Sequence, residues 1–237
     1  MFRPHSKALV AALAALGLAM TGATASLAAQ PTDEAGTQEI AHAALARQTA
    51  GEGMVLLDNA GGALPVAVGN LAVFGVGGYK TVKGGTGSGD VNNRYTIASR
   101  DGLEEGGYTV TTSGAYWDAM VAQYDLLNPG GGGGFGFGGG VDYAGSEVAL
   151  TASSVQPTSP TTTAIYILPR NSGEGSDRTA TKGDYYLTDT ELANITLIGQ
   201  TYAKVAVVLN VGAVVDTVFV DQINDRTTDP AGGLAVD

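Results

Sequence analysis

Leu71-Ala-Val-Phe-Gly-Val-Gly-Gly78 is the stretch on which the fold turns. An unbroken apolar run closing on glycines spells a strand buried on both faces, with a carboxyl end that opens into a loop where a site can form. Working outward, Tyr108-Thr-Val-Thr-Thr112 gives a second strand, Ala164-Ile-Tyr-Ile-Leu168 a third, and Lys204-Val-Ala-Val-Val-Leu-Asn-Val211 a fourth. Helical spacing runs through residues 116–124 and 191–202, and the second of these opens on Thr188 and Glu191 at the spacing of a capping box. Upstream, Ile40, Ala43, Ala44, Arg47 and Ala50 keep a helical period towards Met54-Val55-Leu56-Leu57, where Asp58-Asn59-Ala60-Gly61-Gly62 stops it. Strands alternating with helices predict an α/β fold, a mainly parallel sheet sandwiched between helices, because parallel neighbours need long crossovers.

Composition narrows the chemistry. The chain has 237 residues, 12 basic against 23 acidic, for a formal charge of −11. Nucleic-acid binding depends on clustered Lys and Arg, so no nucleic-acid partner is expected. The absence of cysteine removes disulfides, thiolate nucleophiles and thiolate-bound metals together. Only His5 and His42 are left for histidine chemistry, and His42 sits in an Ala-rich helix with Glu39 as its one acidic neighbour a turn away. No cofactor and no metal are called for. Asp221, Asp225 and Asp229 lack the close alternation and central glycine of a calcium loop and read as a solvated acidic face.

The amino terminus carries an address. Arg3 and Lys7 precede an apolar run at 8–20, and small residues follow at 23–25 and 26–29, the pattern of a secretory signal peptide. The run is shorter than the roughly 20 residues that span a bilayer. No cysteine follows it for a lipid anchor. The expected organisation is a signal peptide over 1–28, a polar linker over 29–38 and a single domain over 39–237. The product is expected to be secreted or periplasmic, and free of the membrane after cleavage.

Several glycine-rich stretches invite comparison with nucleotide-binding loops and fail it. In Gly75–Thr81 the residue before the lysine is Tyr79 where a phosphate-binding loop needs glycine, and Lys80 takes the third glycine of a dinucleotide fingerprint. The segment 129–140 holds nine glycines around Phe135 and Phe137 and reads as a mobile loop, either an inert insertion or a rim presenting two rings.

Two segments are more particular. Lys83-Gly-Gly-Thr-Gly-Ser-Gly-Asp-Val91 combines four glycines with Thr86, Ser88 and Asp90, which suits either close approach to another molecule or a plain turn. Arg170-Asn-Ser-Gly-Glu-Gly-Ser-Asp-Arg178 follows the third strand and sets Glu174 between two glycines. A carboxyl among such charged neighbours can be tuned for proton transfer, while the plainer alternative is a surface loop tied by an arginine–carboxylate pair.

Together with residues 53–66, 71–78, 183–191 and 204–216, these segments resemble the α/β-sandwich domain of glycoside hydrolase family 3, the secreted and intracellular β-glucosidases and their relatives. The resemblance covers residues 39–220 in the family's order. It implies that Glu174 is the general acid/base, that Thr86, Gly87 and Ser88 lie near the sugar, and that Arg170, Asp177 and Arg178 support the acid/base loop. The substrate it implies is a terminal β-linked glycoside or oligosaccharide, cleaved with retention by an exo-acting enzyme of β-glucosidase type.

Such chemistry needs a second carboxylate as nucleophile, which the resemblance assigns to an aspartate on a (β/α)8 barrel in a Ser-Asp-Trp-like context. Trp117 is followed by Asp118, not preceded by an aspartate, so no nucleophile is found in this chain. A barrel alone takes on the order of 250 residues. The expectation is therefore the N-terminal portion of a longer enzyme, in the arrangement where the barrel follows, with the sandwich domain incomplete at its C-terminal end. By itself such a piece would be inactive. The competing possibility is a secreted module that binds carbohydrate, or serves structurally, without turnover.

Overall fold

The computed structural model describes residues 34–85, 93–129, 140–173 and 177–228. The chain divides into two compact units, residues 1–57 and 58–237. In the first, helix α1 (Thr37–Gly53) begins where the Glu39 carboxylate accepts the Gly36 N–H at 2.7 Å. It ends before Met54, whose backbone is extended, so the apolar residues 54–57, towards which the helical period runs, lie beyond the helix. Gly51 and Gly53 lower the helical preference of that last turn.

The second unit is built on β1 (Asn70–Phe74), β2 (Thr109–Val110), β3 (Thr163–Arg170) and β4 (Lys204–Val211), all parallel, in the order β2-β1-β3-β4. Val73 stands opposite Ile165, and Ile167 opposite Val208. The helices are α2 (Val76–Tyr79), α3 (Ser99–Glu105), α4 (Gly114–Leu127), α5 (Asp189–Thr201) and α6 (Phe219–Thr228). Leu71, Val73, Phe74, Ile167 and Leu168 are buried in the central strands; α4 contributes Trp117, Met120 and Tyr124 to the core, and α5 contributes Ile195 and Ile198. Phe74 receives the rings of Tyr116 and Tyr202 edge-on, with centroids 5.6 and 6.0 Å away. This is the predicted parallel α/β architecture.

Where the structure departs from the pattern, the reason is local. The strand expected over 108–112 pairs as a ladder only at Thr109 and Val110. Thr111 N–H still donates to Leu71 O at 2.9 Å, and after it a side chain replaces the backbone: the Thr112 hydroxyl accepts from Val73 N–H at 2.8 Å and donates to Val73 O at 2.6 Å. Helix α5 starts on the anticipated box, in which Glu191 N–H donates to Thr188 Oγ1 at 3.1 Å and Thr188 N–H donates to Glu191 Oε2 at 2.8 Å. Helices α2 and α3 are short, and neither they nor α6 is among the helices expected from the sequence.

Candidate functional site

From β1 the chain reaches β2 on one side, whereas β3 and β4 lie on the other. The crevice at the carboxyl ends of β1 and β3 is thus a topological switch point, where ligands bind in open parallel sheets. Three loops meet there. Gly75 leaves β1 with φ +87°, directly over the Ile167 carbonyl of β3. Further on, Val82 is held by Asn210 of β4, whose Oδ1 accepts the Val82 N–H at 2.6 Å and whose Nδ2 donates to Val82 O at 3.1 Å. At Gly85 a methyl group would stand 3.0 Å from the carbonyl oxygen of Ser172, in the loop after β3. Gly212, after β4, abuts the Ser172 side chain. The described flanks of the two glycine-rich motifs therefore touch.

Of the residues singled out in the sequence, Thr86, Gly87, Ser88 and Glu174 lie outside the described residues, as do Phe135 and Phe137. Arg170 ends β3 and is only 3 % exposed. Its guanidinium makes a two-pronged bond to the Glu191 carboxylate, 2.7 Å on each arm, and Nε donates to Asp184 O at 3.1 Å. Arg178 turns instead to the Asp184 carboxylate, Nη1 to Oδ1 at 2.7 Å. Asp177 is exposed. The two arginines thus share Asp184, one through its carbonyl and the other through its carboxylate. Partial burial nudges the Asp184 carboxyl upward, but the Thr179 N–H, the Arg178 guanidinium and the Thr179 hydroxyl outweigh it and hold Asp184 at about 2. The ion pair therefore stays charged throughout the neutral and mildly acidic range.

Beneath the crevice lies a buried polar cluster that no motif announced. Glu147 is 7 % exposed, with Oε2 accepting Val76 N–H at 2.9 Å and Oε1 accepting Asn194 Nδ2 at 2.9 Å. Burial, against the relief of the Val76 N–H and with Glu191 nearby, pushes its carboxyl up to about 7. A carboxyl whose folded pKa is raised binds its proton more tightly in the native state, so its contribution is greatest below the unfolded value. Stability should therefore fall as pH rises from about 4.5 to about 7 and level off above. The loss expected from this group is about 3 kcal/mol. Urea midpoints at pH 5 and pH 8 check it, and Glu147→Gln should flatten this part of the profile; an equal slope in the variant would refute the assignment.

Sequence patterns missed the groups that do the joining. Asn210 had a signal, a lone amide in an otherwise apolar strand, and Asp184 and Glu191 stood inside a quoted motif. Glu147, in a stretch with no periodicity, had none.

A parallel α/β unit with loops gathered over a switch point defines a class of site-bearing domain, and comparison with known proteins makes the family specific. Residues 54–227 match the model of the glycosyl hydrolase family 3 C-terminal domain, and the chain belongs to that family. It is 32 % identical over 227 residues to β-glucosidase A of Butyrivibrio fibrisolvens, covering 81 % of this chain and 26 % of that protein. A β-glucosidase of Ruminococcus albus is 34 % identical over 179 residues, 73 % of this chain and 18 % of the relative. The chain thus spans about a quarter or less of the length of these relatives. Among solved structures, β-glucosidase 3B from Thermotoga neapolitana in complex with α-D-glucose superposes with a TM-score of 0.64 at 29 % identity, over 78 % of this chain and 26 % of that one. A β-glucosidase from Paenibacillus barengoltzii gives 0.63 at 31 % identity, over 78 % and 20 % of the two chains.

Proposed function

We propose that this chain supplies the general acid/base, Glu174, to a secreted, retaining, exo-acting β-glucosidase acting on terminal β-linked sugars. The contact between Gly85 and Ser172 carries the reading, because it brings the flank of the Thr86-Gly87-Ser88 motif against the flank of the Glu174 motif at the switch point. Family membership and β-glucosidase relatives of similar sequence support it. In this mechanism an aspartate nucleophile of a barrel outside these 237 residues attacks the anomeric carbon while Glu174 protonates the departing oxygen. Glu174 then takes a proton from the water that hydrolyses the glycosyl-enzyme, and it is restored for the next cycle. Thr86, Gly87 and Ser88 border the sugar. Arg170 and Arg178 fix the two ends of the acid/base loop through Asp184. Without the nucleophile the chain by itself has no turnover.

The test is Glu174→Gln in a polypeptide joining this chain to its barrel. Hydrolysis of glucosides with poor leaving groups should drop about 100-fold or more, whereas activated aryl glucosides, which need little protonation, should lose far less in the first step. Full activity on poor leaving groups would remove Glu174 from the role. Sugar binding with no turnover in the joined wild-type protein would instead favour a carbohydrate-binding module.

A further inference from the structure

Among the described residues Glu147 and Glu191 are buried carboxylates, and Glu147, unlike Glu191, has no arginine against it; its partners give it a place. Its two oxygens join Val76, in the turn that leaves β1, to Asn194 on α5. That turn is trapped on its other side by β3: a methyl group at Gly77 would lie 2.6 Å from the Ile167 Cγ2, and one at Gly75 would strike the Ile167 carbonyl. The turn therefore has little freedom except towards Glu147. The groups facing this carboxyl are Tyr116 from α4, Tyr166 from β3, and Glu191 and Asn194 from α5. Glu191 is already matched by Arg170. Among the described residues Glu147 has no ion-pair partner, and the buried Tyr166 hydroxyl facing it favours its charged form. Tyr116 Oη is occupied by the Gly75 N–H at 3.0 Å.

We propose that Glu147 is a proton-operated positioning residue: as a carboxylate it clamps the Gly75–Val76 turn to α5, and on protonation it slackens that clamp. The physical basis is that an ionised acceptor holds an N–H roughly twice as strongly as a neutral one. Tyr166 faces the carboxyl and favours its charged form, so its hydroxyl has to reorient when Glu147 takes up a proton. Burial raises the carboxyl to about 7, so the change falls in the neutral range. The turn feeds directly into Lys80–Gly85, and the clamp thereby sets where that segment starts. Any consequence for sugar binding at Thr86, Gly87 and Ser88 rests on the glycosidase reading, but the clamp itself does not.

The test is a pH titration of the isotope-labelled chain by NMR, following the Glu147 carboxyl carbon and the Val76 amide together from pH 5 to pH 9. Both should move with one midpoint near 7, and the Val76 step should vanish in Glu147→Gln. A carboxyl titrating at about 4.5, or a Val76 amide that stays still while the carboxyl titrates, would overturn the proposal. Should the glutamine variant not fold, the wild-type pair of curves decides alone: shared midpoints support the clamp, and separate midpoints exclude it. Activity is not read, so failure of the glycosidase assignment leaves this result intact.

Discussion

Arg170→Met is expected to cost the fold about 4 kcal/mol, because it leaves the Glu191 carboxylate buried with its charge uncompensated. The pair is 3 % and 0 % exposed, and water cannot take over the lost contacts. Removing both partners, as in Arg170→Met with Glu191→Leu, should recover part of that loss, since no charge then remains to be solvated. Recovery will be incomplete. Glu191 also accepts the Thr188 N–H at the start of α5, and the double variant leaves that donor without its cap. Guanidinium denaturation of the two single variants and the double variant measures the coupling. A loss below about 1 kcal/mol for Arg170→Met would show that the carboxylate finds another partner or takes up a proton.

Gly75→Ala should prevent the second unit from folding. At φ +87° a side chain is strained whatever the space around it, and here the new methyl group also meets the Ile167 carbonyl of the central strand. Backbone in the middle of a sheet cannot step aside as a side-chain tip can. The combined penalty is expected to exceed about 4 kcal/mol, beyond the range of ordinary substitutions. Gly114→Ala is the matched control. Gly114 opens α4 with nothing within 4 Å of the added carbon, so alanine there should be neutral or gain up to about 1 kcal/mol. Thermal melts of both variants separate a positional effect from a general intolerance of alanine for glycine; a cooperative melt near the wild-type temperature for Gly75→Ala would contradict the close approach to β3.

How legible the molecule is in its sequence depends on whether a feature repeats along the chain or is assembled across it. The strand at 204–211 is a strongly apolar run, and its bounds in the structure are those expected. The Thr188–Glu191 box is equally local and equally visible. By contrast, nothing in Tyr108–Thr112 indicates that the Thr112 hydroxyl will replace a ladder bond to Val73, because that depends on a neighbour 39 positions away. Arg170 illustrates the same limit. Its spacing from Glu174 and Arg178 suggests a common cluster, yet its guanidinium turns to Glu191, and among the described residues it is Asp184 that links the two arginines. Charged residues close in sequence compete with partners brought close by the fold, and the buried partner wins because an unpaired charge there is so costly.

The double use of Asp184 bears on how the stretch between Arg170 and Arg178 can change over evolution or in the laboratory. With Arg170 tied to its carbonyl and Arg178 to its carboxylate, the two ends of the intervening stretch are held together by a clasp that does not depend on the length of that stretch. Each doubling of such a stretch adds only about 0.6 kcal/mol of closure entropy. The segment is in that sense an exchangeable cartridge. Insertions between Ser172 and Asp177 should leave the scaffold standing, whereas loss of the clasp would free both ends at once.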